Sequence, residues 1–166
     1  MYYYYDIHVD LDGVLVNFEQ KVRDLGYSPE LIKADPMKDQ FWGYISKGVG
    51  TGGLKFWSDM YPMDDALELW DFIKNYSPTI LTSAAGIFGG CEQKNEWVNK
   101  YLGYCPVVCV NDSAEKANYA HENAILIDDR SKSIIPWESA GGIGILHKSA
   151  VNTIHQLKEI LGDINK

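Results

Sequence analysis

Five short apolar runs, each stopping abruptly at polar residues, punctuate the chain. The first, Tyr3-Tyr4-Tyr5-Asp6-Ile7-His8-Val9, leads into Asp10-Leu11-Asp12-Gly13. The others are Thr79-Ile80-Leu81 before Thr82-Ser83, Val107-Val108-Cys109-Val110 before Asn111-Asp112, Ala124-Ile125-Leu126-Ile127 before Asp128-Asp129, and Ile143-Gly144-Ile145-Leu146 before His147-Lys148. Runs of this length and β-branched content read as strands. Between them, apolar residues recur at helical spacing. The pattern predicts a helix over 17–26, with Phe18, Val22 and Leu25 on one face and Gly26 as its stop, and a short helix starting at Ser28-Pro29. It predicts another over 65–75, capped by Asp64 or Asp65, with Leu67, Trp70 and Ile73 on its apolar face. Further helices are expected over 91–101 and 113–121. The last, over 149–161, would bury Val151, Ile154, Leu157, Ile160 and Leu161 and stop at Gly162. Short continuous strands alternating with helices predict an α/β fold: a Rossmann-like parallel sheet core flanked by helices on both faces.

Between residues 35 and 63 the periodicity loosens. Aromatic residues crowd there, and Gly48-Val49-Gly50-Thr51-Gly52-Gly53 formally fits a dinucleotide-binding glycine pattern. No strand leads into that run and no lysine follows Gly53, so a mobile loop is the expectation rather than a nucleotide cradle.

Composition narrows the class of function. The 166 residues, 46% hydrophobic, fit one ordinary domain with a full core. A net charge of −8 argues against a surface for a nucleic-acid polymer. No apolar run is long enough to span a membrane and no secretion signal opens the chain, so no membrane partner and a cytoplasmic location are expected. Cys91, Cys105 and Cys109 show no paired spacing, which points to free thiols rather than a disulfide or a zinc site. The tyrosine-rich start, residues 2–5, could extend the first strand or meet a partner subunit in a homodimer.

In parallel sheets ligands bind beyond the carboxyl ends of the strands, where all these polar groups fall. Asp10 and Asp12 are two residues apart, which directs both to one side if extended geometry persists, and Gly13 permits a sharp departure there. Together with Asp128 and Asp129 they place four carboxyls at one end of one sheet. Such crowding is costly unless a cation shares it. With oxygen ligands only, the hard cation Mg²⁺ suits the set. Thr82 and Ser83 could offer hydroxyl and backbone N–H groups to a phosphate, and Lys94 and Lys116, on the segments after strand ends, could reach the same anion.

These residues resemble the haloacid dehalogenase (HAD) superfamily. Asp10-Leu11-Asp12-Gly13-Val14-Leu15 is similar to its first motif, Ile80-Leu81-Thr82-Ser83 to its second, a lysine before the strand at 124–127 to its third, and Leu126-Ile127-Asp128-Asp129-Arg130 to its fourth. Within the superfamily the resemblance is greatest to the 5′(3′)-deoxyribonucleotidases, through residues 12–18, 81–83 and 94–101. The resemblance implies a Rossmann-like core of residues 1–16 and 64–166 and a small, mainly helical cap at 17–63. It makes Asp10 the nucleophile that forms an aspartyl-phosphate and Asp12 the general acid and base. It assigns Mg²⁺ to Asp10, the Asp12 carbonyl and one or both of Asp128 and Asp129, and phosphate binding to Thr82, Ser83, Lys94 and Lys116. Either Lys94 or Lys116 can be the third-motif lysine, since the interval from Lys116 to Asp128 is slightly long for a nucleotidase. Dehalogenase-type relatives lack an acid at the position of Asp12, so the resemblance implies a phosphatase.

Phe18, Phe41, Trp42, Phe56 and Trp57 could give a flat ring a stacking surface. The expected function is thus a Mg²⁺-dependent phosphomonoesterase for (deoxy)ribonucleoside monophosphates, with the glycine run at 46–55 as a lid. A phosphatase of another small phosphorylated metabolite and a non-catalytic phosphate-binding member of the fold are the alternatives.

Overall fold

The computed structural model describes residues 4–162. All five expected runs form strands: β1 (Asp6–Val9), β2 (Thr79–Ser83), β3 (Val107–Val110), β4 (Ala124–Asp128) and β5 (Ile143–Leu146). They make one parallel sheet in the order β3-β2-β1-β4-β5. Every residue of β4 is buried, the signature of a strand covered on both faces. The strand order reverses direction beside β1, so the carboxyl ends of β1 and β4 flank the crevice where such folds bind ligands. β1 begins only at Asp6; Tyr4 is exposed, Tyr5 packs on the core, and Tyr2 and Tyr3 lie outside the described residues.

Among the described residues there are six α-helices: α1 (Phe18–Asp24), α2 (Met37–Gly50), α3 (Ala66–Ile73), α4 (Gly90–Tyr101), α5 (Ser131–Ser139) and α6 (Ala150–Gly162). Asn17 caps α1 by accepting the Gln20 N–H at 3.1 Å, and Gly26 ends the segment at φ +84°. The short start expected at 28–30 is a single 3₁₀ turn, Leu31–Lys33, and 113–121 is also 3₁₀ (Ser113–Tyr119), closed by a reciprocal cap between Asp112 and Glu115.

Several expectations are corrected. Asp65 occupies the first cap position of α3, but its carboxylate accepts the Ala150 N–H at 2.7 Å and so anchors the start of α6 instead. Leu67 and Val151 face solvent; the inward faces are Ala66, Leu69, Trp70 and Ile73 on α3, and Ala150, Thr153 and Leu157 on α6. Gly162 is the last described residue of α6.

The largest correction concerns the glycine run. It is the end of α2 and the turn after it, not a mobile loop, because Phe41, Ile45 and Val49 recur every fourth residue and are all buried. Burying three such side chains stabilises by several kcal/mol, more than the ~1 kcal/mol each helical glycine costs. Gly48 is also needed where it stands: a Cβ there would lie 2.7 Å from the Leu54 Cβ, so its absence lets the chain fold back along the helix.

Residues 17–63 share the hydrophobic core with the sheet, supplying Val22, Ile32, Phe41, Ile45, Val49, Phe56, Trp57 and Met60 to one cluster with Ile7, Val9 and Ile127. Cys91 and Cys109 form a disulfide, with Cα atoms 6.0 Å apart, contrary to the expectation of three free thiols. A helix and a turn separate them in sequence, and only the packing of α4 beside β3 brings them together. Cys105 is free, and burial pushes its thiol up. Among the described residues no helix is long and apolar enough to cross a membrane.

Candidate active site

The chain leaves β1 through a tight turn. Leu15 and Val16 donate their N–H groups to the Leu11 carbonyl at 2.9 Å, Gly13 donates to the Val16 carbonyl at 2.9 Å, and Leu11, Val14, Leu15 and Val16 are buried beneath. This turn keeps Asp10 and Asp12 on the wall of one open cavity of about 930 Å³. Gly13, at φ +83°, is the point of closest approach to the opposite wall: a Cβ there would collide with the Asp129 carboxylate. Gly13→Ala is therefore expected to strain the turn by about 1–2 kcal/mol and to displace Asp129. Differential scanning fluorimetry should show melting lower by a few degrees, and more Mg²⁺ should be needed to raise it than in the wild type.

Two buried lysines organise the acids. Lys116 Nζ lies 2.6 Å from Asp128 Oδ2 and 3.1 Å from Asp10 Oδ1. Lys94 Nζ instead donates to Asp12 Oδ2 at 2.7 Å and to Thr82 Oγ1 at 2.9 Å, and stands over the Trp57 ring at 5.2 Å. Of the two lysines weighed in sequence, Lys116 is thus the one that contacts Asp10 and Asp128, and Lys94 the one that contacts Asp12. The Trp57 indole N–H also reaches Asp12 Oδ2, at 3.3 Å, while Asp12 Oδ1 is buried without a partner among the described residues. Asp128 Oδ1 accepts the Arg130 N–H at 2.9 Å, which fixes the corner after β4.

Carboxylate oxygens of Asp10, Asp128 and Asp129 lie within 4.8 Å of one another. Loss of water pushes the Asp128 carboxyl up to about 6, with the Asp10 charge adding and Lys116 opposing. Asp129 is pushed up to about 7 by desolvation and by the charges of Asp10, Asp128 and Asp12. Burial works to lower Lys116, but Asp10 and Asp128 outweigh it and keep it protonated. An all-oxygen set with more negative charge than its one ammonium balances fits a hard divalent cation such as Mg²⁺.

A carboxyl whose folded-state value lies above its unfolded one binds its proton more firmly in the folded chain. Its contribution to stability, larger for the buried Asp128 than for Asp129, which solvent reaches, is complete below about pH 4 and is lost as pH rises towards 6–7. In chelator the melting temperature should accordingly fall on the order of 5 °C between about pH 5 and 8, and Mg²⁺ or Asp129→Asn should flatten that fall. Differential scanning fluorimetry across pH, with and without metal, checks this; a metal-insensitive profile would refute it.

Not every expected residue reaches the cavity. Ser83 lines it, but its hydroxyl donates to the Asn111 carbonyl at 3.0 Å and accepts the Ala85 N–H at 3.2 Å. Thr82 is wholly buried and spoken for by Lys94. Phe18, Trp42 and Trp57 line the cavity. Phe41 and Phe56 do not: both are wholly buried behind Phe18, edge-on to it at 6.5 and 5.9 Å between ring centroids, and serve as its backing. Five aromatics within one 17-residue window, Phe41 to Trp57, cannot all face a ligand when the insert has its own core to fill.

Gln93 was not foreseen. Its Oε1 accepts the Phe56 and Trp57 N–H groups at 2.8 and 3.0 Å, and its Nε2 donates to the Leu54 carbonyl at 2.7 Å. Trp97, one turn on, donates to the Met60 carbonyl at 2.9 Å. The only sequence signal was a polar residue at the helical spacing of inward-facing ones. Lys33, Lys38, Arg130 and Lys132 also line the cavity and were not anticipated as site residues.

Comparison with protein-family models and with curated proteins finds no match. Solved structures do match in fold. A haloacid dehalogenase-like family hydrolase from Streptococcus pneumoniae superposes with TM-score 0.55 at 14% identity, over 93% of this chain and 91% of that one. A HAD-superfamily hydrolase from Ehrlichia chaffeensis gives 0.52 at 13%, over 100% of both. A HAD family hydrolase from Deinococcus radiodurans, with bound phosphate and sodium, gives 0.54 at 12%, over 99% and 98%. The chain has the HAD-like fold; at these identities the likeness establishes the fold alone.

Proposed function

We propose that the chain is a Mg²⁺-dependent phosphomonoesterase that hydrolyses nucleoside monophosphates through a phosphorylated Asp10. The observation that carries this reading is the convergence of Asp10, Asp12 and Asp129 on one cavity, with a separate buried lysine held against each of the first two. The HAD-like fold and the phosphate bound by one neighbour support it.

Lys116, 3.1 Å from Asp10 Oδ1 and 2.6 Å from Asp128 Oδ2, holds the Asp10 carboxylate in place. That carboxylate attacks phosphorus, an acyl-phosphate bond forms, and the ester P–O bond breaks. Asp12 delivers a proton to the departing alkoxide. Lys94, 2.7 Å from Asp12 Oδ2, and the Trp57 indole, 3.3 Å from the same oxygen, hold that carboxyl in place for the transfer. Asp12 then takes a proton from the water that cleaves the acyl-phosphate, releasing inorganic phosphate and restoring Asp10. Mg²⁺ held by Asp10, Asp128 and Asp129 would offset the negative charge of the transferring group. Trp57 shields the Asp12 pair on one side, and Phe18 and Trp42, nearly parallel with centroids 6.1 Å apart, leave a flat apolar wall for a base.

The test is phosphate release from deoxy- and ribonucleoside 5′- and 3′-monophosphates, sugar phosphates and an aryl phosphate, with Mg²⁺ and with chelator. Metal-dependent turnover with nucleotides foremost is expected. Turnover led by sugar phosphates would replace the substrate and keep the chemistry; none at all would leave a phosphate-binding protein.

A further inference from the structure

The inner end of the cavity balances its charges internally. Lys94 answers Asp12, and Lys116 answers Asp10 and Asp128. The outer part has no such direct pairing; Glu30 feels the Lys33 charge but forms no ion pair with it. Lys33 and Lys38, from the insert, and Arg130 and Lys132, from the corner where β4 meets α5, all line the same cavity. None of these four makes an ion pair among the described residues. Glu19, the acid in the outer lining, is taken by Arg23 at 3.2 Å.

Four like charges lining one space without ion pairs gain no pairing energy from the fold. In a chain with 15 Lys and Arg against 23 acids, partners were plentiful, so leaving these four unpaired around one opening calls for a ligand charge. The scissile phosphoryl group, bound at Asp10, is served by the buried lysines at the other end. The outer cations are also drawn from two separate parts of the chain, the insert and the sheet core, so a ligand between them would be clasped from both sides.

We propose that this outer cluster is a binding subsite for a second phosphate, and that the preferred substrates are small molecules bearing two phosphoryl groups, one cleaved at Asp10 and one held by Lys33, Lys38, Arg130 and Lys132. Resting on the phosphomonoesterase reading, this adds a substrate class to it. Arg130 can offer a two-pronged contact to phosphate oxygens, and the three lysines supply mobile point charges. Because the cluster is open to solvent, the effect should weaken with salt.

The experiment compares matched pairs, nucleoside 5′-monophosphate against nucleoside 3′,5′-bisphosphate and sugar monophosphate against sugar bisphosphate, for wild type and for Lys33→Gln/Lys38→Gln. Wild type should favour the bisphosphate at least about tenfold in kcat/KM, mainly through KM, and the preference should shrink in about 0.5 M salt. In the double variant the ratio should fall towards one. A control that removes the same charge elsewhere, Lys100→Gln/Lys158→Gln, should keep the wild-type ratio. Equal turnover of both members of each pair, or a preference that survives in Lys33→Gln/Lys38→Gln, overturns the proposal. Calorimetric binding to Asp10→Asn separates the two readings: tighter binding of bisphosphate with no turnover of any ester by wild type would sink the phosphatase and keep the subsite. Equal affinity alongside normal turnover would do the reverse.

Discussion

Asp10→Asn should abolish turnover, by at least about 10⁴-fold in kcat, while leaving the protein folded. The amide is no nucleophile, so the covalent route closes at its first step. The fold should survive because Asn keeps an oxygen that can accept from Lys116 at the 3.1 Å separation seen for Asp10. The lost charge is also one that pushes up Asp128 and Asp129, so part of a like-charge repulsion is relieved. Melting within a few degrees of wild type, with no phosphate release and no phosphorylated protein by intact mass, is the expected set of results. Residual activity near wild type would mean that another group attacks phosphorus.

The second large effect is on stability. Lys116→Met should cost about 3–5 kcal/mol, because it leaves Asp10 and Asp128, both buried, facing each other with no ammonium between them. For a chain of this size that is a fall in melting temperature on the order of 10 °C. The loss should shrink at about pH 5, where one carboxyl can take a proton, and on adding Mg²⁺, which supplies charge to the same oxygens. Lys116→Met/Asp128→Asn should recover part of the deficit even in chelator. If neither acid, metal nor the second substitution rescues the variant, packing of the lysine stem rather than charge explains its burial.

What was legible in the sequence was whatever a local pattern fixes. Each strand declared itself as an apolar run with a polar stop, and Asp10, Asp128 and Asp129 fell together because parallel strands bring their carboxyl ends to one edge. What was hidden depends on packing between distant segments. The glycines of α2 look like a loop until Leu54 is seen folding against Gly48. The split of duties between Lys94 and Lys116 needed β2 and β4 placed on opposite sides of β1, which sends one lysine to Asp12 and the other to Asp10. The disulfide and the outer cations were invisible for the same reason, since their members sit on elements that spacing alone does not align.

Helix α4 carries a consequence for modularity. Consecutive side chains of one rigid turn do two jobs: Gln93 grips the backbone at 54–57, and Lys94 grips Asp12. An insert exchanged for another would arrive without its fastening unless residue 93 were exchanged with it, and a shift of α4 to suit the newcomer would carry Lys94 away from Asp12. Recombining this scaffold with foreign specificity segments should therefore succeed only when α4 travels with the graft, making residues 17–63 and 90–101 one heritable unit though 26 residues lie between them in the chain.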